Sequence, residues 1–243
     1  GSNCASGLYL DPSTNNCTFT NNTISDLTST GLFPAGIYVH AGNHHTFSNT
    51  TIQTLQGSSA AAGVIFSMGD HNTATNTTVS GLTATSTTGF ISGLQTQGFP
   101  PNYADSHVFD GGSVSDFHAP YQVRGATINS GSENCAIRNV TVDLGGVVGT
   151  LGAFGLRILG GAANVVENCS VDNAAIGLQL TSLTNPLLDI GSTSFGSGCT
   201  EFIRLTTTAT DVDATSCSFS GAQTDADKEA RVYHYVDDFT LGF

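Results

Sequence analysis

At 243 residues, with 39% hydrophobic and only 10% charged residues, the chain is long enough to hold one domain with a continuous core. Asp and Glu outnumber Lys and Arg by 19 to 6, and a net charge of −13 argues against nucleic acid or anionic membrane as a partner. No apolar run is long enough to cross a bilayer, and nothing in the sequence has the pattern of a signal peptide.

Gly1-Ser2 has the look of a cloning scar, and the first strand-like segment, Gly7-Leu8-Tyr9-Leu10, belongs to a partial coil. That start suggests a domain cut from a longer protein, or a mature secreted form. From there a block ending in a Ser/Thr plus a β-branched or aromatic residue recurs: Thr23-Ile24, Thr51-Ile52, Thr78-Val79, Ser113-Val114, Thr141-Val142, Ser170-Val171, Ser194-Phe195 and Ser218-Phe219. The apolar anchors are separated by 28, 27, 35, 28, 29, 24 and 24 residues. A strand-like repeat of that length cannot bury its apolar face alone, so it must stack on its neighbours as a solenoid.

A second ladder follows most anchors. Its members are Gly36-Ile37-Tyr38-Val39, Gly63-Val64-Ile65-Phe66, Gly89-Phe90-Ile91, Tyr121-Gln122-Val123, Gly155-Leu156-Arg157-Ile158, Gly177-Leu178-Gln179-Leu180 and Phe202-Ile203-Arg204-Leu205. Alternation at period two turns Ile37 and Val39 inward and Tyr38 outward. The expected fold is all-β: one domain over residues 1–243, a right-handed parallel β-helix solenoid of about eight coils.

In five blocks Asn stands three places before the anchor: Asn21, Asn49, Asn76, Asn139 and Asn168. Asn tolerates the left-handed backbone of a sharp turn, and stacked Asn side chains hydrogen-bond along the column. The sequons formed at these positions are therefore turn chemistry first and glycosylation signals second. The cysteines do not form a disulfide framework. Cys17 and Cys135 share a column four coils apart, roughly 19 Å at about 4.8 Å per coil. Cys169 and Cys217 are two coils apart, roughly 10 Å, beyond the ~7 Å that a disulfide spans. Only Cys4 and Cys17 fall in adjacent coils.

The repeat is broken once, in the 35-residue coil, by a segment from Gln95 through Phe99, Pro100, Pro101 and Tyr103 to Ala104. Solenoid insertions commonly frame a binding face. The column nine places before the anchor holds Asn43, Asp70, Asp105 and Glu133; the next holds His44 and His71, and the one after His45 and His107. Arg124 falls in the column of Gly93, below the loop's departure point. The expected catalytic centre is thus Asp70, Asp105, Glu133, His71, His107 and Arg124, with Tyr103 and Phe99 closing on the ligand.

Carboxylates one coil apart raise one another's pKa and divide acid from base work. Such a pair facing a sugar supports glycoside hydrolysis. Asp, His and Arg together instead support proton abstraction at C5 of a uronic acid, with Arg124 steadying the developing charge. Turn chemistry alone also explains Asp, Asn and His here. No His/Cys metal spacing or cofactor motif is present, although a calcium ion shared by Asp70, Asp105 and Glu133 is an alternative use of the cluster. Two further columns are charged. Asp110, Arg138 and Glu167 form a self-satisfying ladder. Arg157, Gln179 and Arg204, beside Gln122, form an outward row suited to an acidic glycan.

The coil pattern, the Asn column and runs such as Asn134-Cys135-Ala136-Ile137-Arg138-Asn139-Val140-Thr141-Val142 resemble the right-handed β-helix (pectin-lyase-like) superfamily, which includes polysaccharide lyases and hydrolases, alginate epimerases and phage tailspikes. The resemblance is architectural: the polygalacturonase Asn-Thr-Asp and Gly-His-Gly motifs and the epimerase Asp-Pro-His motif are absent. It implies a polysaccharide or surface glycan as partner and an extracellular or virion-surface location. Three readings follow: a polysaccharide lyase, hydrolase or epimerase; a non-catalytic shaft of a tailspike or adhesin, which would form homotrimers; and an ice-binding face, from the Thr-x-Thr/Ser pattern Thr18/Thr20, Thr46/Ser48, Thr73/Thr75.

Overall fold

The structure is a computed structural model that describes residues 4–30, 33–99, 103–147, 149–183, 187–206, 211–234 and 241–242. It is a parallel β-solenoid of about eight coils, with 63% of the described residues in strands and 2% in helix. A long sheet of nine parallel strands forms one wall: Cys4–Leu10, Phe33–His40, Ala60–Ser67, Phe90–Gln97, Gln122–Ile128, Gly152–Gly161, Ile176–Leu183, Glu201–Thr206 and Val232–His234. A twelve-stranded sheet carries the anchors. Two three-stranded sheets fill the corners: Gly69–Asp70, Ala104–Asp105 and Ser132–Glu133 in one, Leu187–Asp189, Asp211–Asp213 and Leu241–Gly242 in the other.

The eight anchors stand in one register row, Ile24–Ile52–Val79–Val114–Val142–Val171–Phe195–Phe219. From Ile52 to Phe195 they are fully buried. Opposite them the long sheet places glycine in seven coils. A Cβ on Gly36 would meet Ile52 Cγ2 at 2.5 Å, and one on Gly93 would meet Val114 Cγ1 at 2.7 Å. Gly7, Gly63, Gly125, Gly155 and Gly177 face Ile24, Val79, Val142, Val171 and Phe195 in the same way. A Cβ there would also meet the carbonyl of the next coil, Gly63 O at 2.8 Å from Gly36 and Gly125 O at 2.5 Å from Gly93, so the opposite wall and the neighbouring strand together leave room for hydrogen alone. Where the anchor row has room beside it, rings fill the space: Phe66 of the long sheet lies between Phe47 and Phe109, with centroids 5.9 and 5.1 Å away, because their row has only Ala74 between them.

The Asn column is a ladder of left-handed turns. Asn21, Asn49, Asn76, Asn139 and Asn168 have φ of 56°, 52°, 51°, 55° and 54°. Asn49 donates its amide to Asn21 (3.2 Å), and Asn76 donates to Asn49 (3.3 Å). In the coil of Val114, one of three without Asn at this place, Gly111 takes the turn at φ 77°. Cys17, Cys135, Cys169, Cys199 and Cys217 are free thiols, so neither long-range pairing exists; the Cys4 side chain lies outside the described residues.

Two expectations about register are corrected. The segments at Phe90-Ile91 and Gln122-Val123 do join the long sheet, but Val64 pairs with Leu94 and then Ala126, while Ile91 and Val123 align with Ala61. The cause is a second insertion. The long coil's excess is divided between the turn from Ala84 to Phe90 and the loop after Gln97, and Gln95, Thr96 and Gln97 remain in their strand. Pro100, Pro101 and Asn102 lie outside the described residues.

Val114 sits at the middle of the anchor row and is 0% exposed. Val114→Asp places an unpaired charge there and should cost on the order of 3–5 kcal/mol. Chemical denaturation should show that loss, whereas Ser113→Asp on the adjacent outward position should stay within about 1 kcal/mol of wild type.

Candidate functional site

The corner after the long sheet is built from a short parallel ladder in which Asp70, Asp105 and Glu133 pair in register. Earlier members of this row are Asn15 and Asn43, and they satisfy backbone: Asn15 accepts from the Asn43 N–H (3.1 Å) and Asn43 from the Asp70 N–H (2.8 Å). In the next three coils the row turns acidic. Asp70 and Glu133 are exposed; Asp105 is half-buried, and its Oδ1 accepts from Asn134 Nδ2 (2.8 Å) and Ser106 Oγ (3.1 Å). Neighbouring strands are about 4.8 Å apart, which sets the carboxylate spacing to first order. The three acids open with Tyr103, Ala41, Met68 and Gly69 into one cleft of about 560 Å³. Tyr103 and Phe99 are half exposed, but only Tyr103 lines the cleft.

The residue after each row member is left-handed: Asn16, His44, His71, Ser106 and Asn134 have φ between 53° and 57°. That kink reverses the side-chain direction, so the residue before it faces solvent and the one after it faces the core. His71 sits at the kink, exposed and stacked on His44 with ring centroids 5.0 Å apart. His107 sits past it and is fully buried against Phe66, 5.3 Å between centroids. His107 is therefore absent from the cleft, contrary to expectation.

What His107 does instead is part of an inner row of acceptors. The Cys17 N–H donates to His45 Nδ1 (3.1 Å), the His45 N–H to Asn72 Oδ1 (2.9 Å), and the Asn72 N–H to His107 Nδ1 (3.1 Å). Two coils on, the Cys135 N–H donates to Asn164 Oδ1 (3.0 Å). Each buried corner amide finds its acceptor on the side chain of the next coil, and buried N–H groups need one. His107 Nε2 lies 3.2 Å from the Met68 carbonyl and donates to it, which fixes the neutral tautomer with Nδ1 as acceptor. Sequence reasoning placed His45 and His107 in one column but read it as chemistry; the signal for structure was that Asn72 and Asn164 share that column.

Arg124 is also elsewhere. It pairs with Ser92 and Phe154, not with Gly93, on the outer face of the long sheet. The pairing is one place off the expected column, and that one place changes the face: Gly93 looks across the interior at Val114, whereas Arg124 looks outward. The outer row itself is observed: Thr127, Arg157, Gln179, Arg204 and Tyr233 are in register. Gln122, expected beside this row, is not part of it: it pairs with Phe90 and Gly152, whereas Thr127 further along the same strand pairs with Arg157, and Gln122 is bonded to Arg124. Arg204 is engaged by Glu201 through two hydrogen bonds of 2.7 and 2.5 Å. On the other wall, Asp110, Arg138 and Glu167 align, with Arg138 and Glu167 paired at 2.6 Å. Among the described residues, no group of three His, Cys, Asp or Glu side chains is placed to hold a metal ion.

Compared with known proteins, the chain matches no family model and no curated protein.

Burial depresses His107 from its ordinary 6.5 to about 4. The unfolded chain therefore binds a proton that the folded one refuses between those values. Stability from this group is complete above about pH 6.5 and falls by on the order of 3 kcal/mol as pH drops towards 4. His107→Asn keeps an acceptor in the row, as Asn72 and Asn164 do, and should fold while losing this part of the pH dependence. Urea titrations of both proteins between pH 7 and 4 measure it; identical slopes would contradict the assignment.

Proposed function

We propose that this chain is a polysaccharide-recognising β-helix, related in architecture to the pectin-lyase-like proteins and working outside the cell or on a virion surface, and that it holds its glycan in the corner cleft. The observation that carries this reading is the single register row Asp70–Asp105–Glu133 opening with Tyr103 into one cleft. Carboxylates in a row accept hydrogen bonds from successive sugar hydroxyls, and an exposed tyrosine ring offers a stacking surface. The composition, rich in Gly and poor in charge, fits the location.

The carboxylate spacing also bears on reaction type. Adjacent row members are about one strand spacing apart, near the ~5–5.5 Å of retaining glycosidases. Uronate elimination or epimerisation needs a cation beside the substrate carboxylate, and Arg124 is on another face. Hydrolysis is thus the chemistry this cleft supports if it turns substrate over, and hydroxyl recognition is its minimum function. The hydroxyl rows Thr18–Thr46–Thr73 and Thr20–Ser48–Thr75 are in register, but they end on Val108 and Asp110. Three coils of regular hydroxyls are a small patch, and the ice-binding reading draws less support than the cleft.

Asp105→Asn should weaken binding of a recognised neutral polysaccharide by about tenfold, the loss of one charge-assisted hydrogen bond, with little change in melting temperature. Arg138→Ala, on the opposite wall, should leave binding unchanged. Affinity electrophoresis measures the first effect, and reducing-end release on the same polymer decides whether the cleft is hydrolytic. Unaltered binding by a folded Asp105→Asn protein would place the glycan elsewhere.

A further inference from the structure

Two exposed imidazoles meet on the loop-side corner, and among the described residues no hydrogen-bond partner engages their nitrogens. His44 and His71 are 27 residues apart, one coil of the solenoid, and their rings stack with centroids 5.0 Å apart and planes 22° from parallel. Both stand on the left-handed kink, with φ of 57° and 55°. Their backbones are tied from coil to coil: the His44 N–H donates to the Asp70 carbonyl (3.0 Å) and the His71 N–H to the Asp105 carbonyl (3.0 Å). The fold therefore sets the two side chains next to each other, one strand spacing of about 4.8 Å apart at the backbone.

Other histidines whose side chains are described have partners. His45 and His107 are buried and take backbone amides on Nδ1, and His118 Nε2 lies 3.1 Å from Asp116 Oδ1. His44 and His71 touch each other instead, and each neutral ring keeps a nitrogen lone pair to offer. Imidazole nitrogen suits copper, nickel and zinc, whereas calcium takes oxygen. Metal–nitrogen bonds of about 2.0–2.1 Å hold two nitrogens within about 4.2 Å of each other. Rings 5.0 Å apart close that gap by turning about χ2, a broad torsion in His.

We propose that His44 and His71 form a two-imidazole surface site for a copper(II) ion. Among the described residues no third His, Cys, Asp or Glu is placed to join them, so water completes the coordination. Two imidazoles with water give the tetragonal nitrogen–oxygen sphere that copper(II) takes, and copper(II) heads the stability order of the divalent ions for such donors. Beside the pair runs the acidic row, with Asp70 next to His71 in the chain, and its charge raises the local concentration of cations. No local sequence motif marks the site, because its ligands come from successive coils. Neither histidine lines the glycan cleft, and the site does not depend on that reading.

Calorimetric titration with copper(II) chloride, at about pH 7 and in a buffer that does not bind copper, tests it. Electron paramagnetic resonance on the same sample counts the coordinated nitrogens. One copper ion should bind with two imidazole nitrogens, and zinc chloride should bind more weakly. Asn holds the same kink at Asn16 and Asn134, with φ of 56° and 53°, so His44→Asn and His71→Asn should keep the wild-type melting temperature. Each should weaken copper binding at least about tenfold, and His118→Asn should leave it unchanged. Affinity should also fall as pH is lowered, since protons compete for the ligand nitrogens. Copper bound at full affinity by folded His44→Asn or His71→Asn protein would overturn the proposal. So would a spectrum with a single nitrogen, zinc binding as tightly as copper, or no copper bound below millimolar concentration.

Discussion

The contact between a glycine column on one wall and a β-branched column on the other is the constraint on which the rest of the solenoid depends. From Gly7 to Gly177 the long sheet offers no side chain where Ile24 to Phe195 project across the interior. The two walls can then approach to backbone-to-methyl distance, which excludes water and gives each coil the same cross-section. Equal cross-sections let strands stack in register, and register carries the Asn ladder, the inner acceptor row and the acidic row. Near the C-terminal end the pattern changes: Phe202 takes the glycine position and meets Phe219, with ring centroids 5.1 Å apart. Glycine's entropic cost in a strand, about 0.5–1 kcal/mol relative to alanine, is offset by the packing it permits.

Function is sorted by the left-handed corner. One kinked residue per coil sends its predecessor to solvent and its successor to the core, so chemically similar residues two places apart have opposite fates. Asp105 is presented to the cleft, whereas His107 is enclosed and serves the Asn72 amide. The acidic row is affordable because its backbone amides are paired along the coils and its side chains remain wet. The same rule gathers the carboxylates of successive coils on the solvent side of the corner.

Much of the architecture was legible in the sequence. The anchors were found because Ser/Thr plus an apolar residue recurs with little drift, and the Asn column because one backbone conformation strongly selects residue type. The row Asp70–Asp105–Glu133 was also legible, since counting back from a correctly placed anchor preserves register over a short span. Counting failed where it crossed a turn of altered length. The extra residues between Ala84 and Phe90 displaced the second ladder, and a one-place error in aligning the following coil assigned Arg124 to the wrong face. His107 failed for a different reason: column alignment gives position but not direction, and direction is set by the φ of Ser106. The glycine column was visible as a Gly before most second-ladder strands, but its meaning depends on the distance between walls, which no one-dimensional pattern contains.

The central claim is that glycine and anchor are energetically coupled across the interior, and a double-mutant cycle measures that coupling directly. A Cβ on Gly36 meets Ile52 Cγ2 at 2.5 Å and Cδ1 at 2.8 Å, atoms that Ile52→Ala removes. Gly36→Ala and Ile52→Ala should each destabilise the protein, one by overpacking and the other by opening a cavity. Combined, they should cost less than the sum of the two by about 1–3 kcal/mol, because the added methyl occupies part of the vacated space. Strict additivity of the two losses would contradict the account.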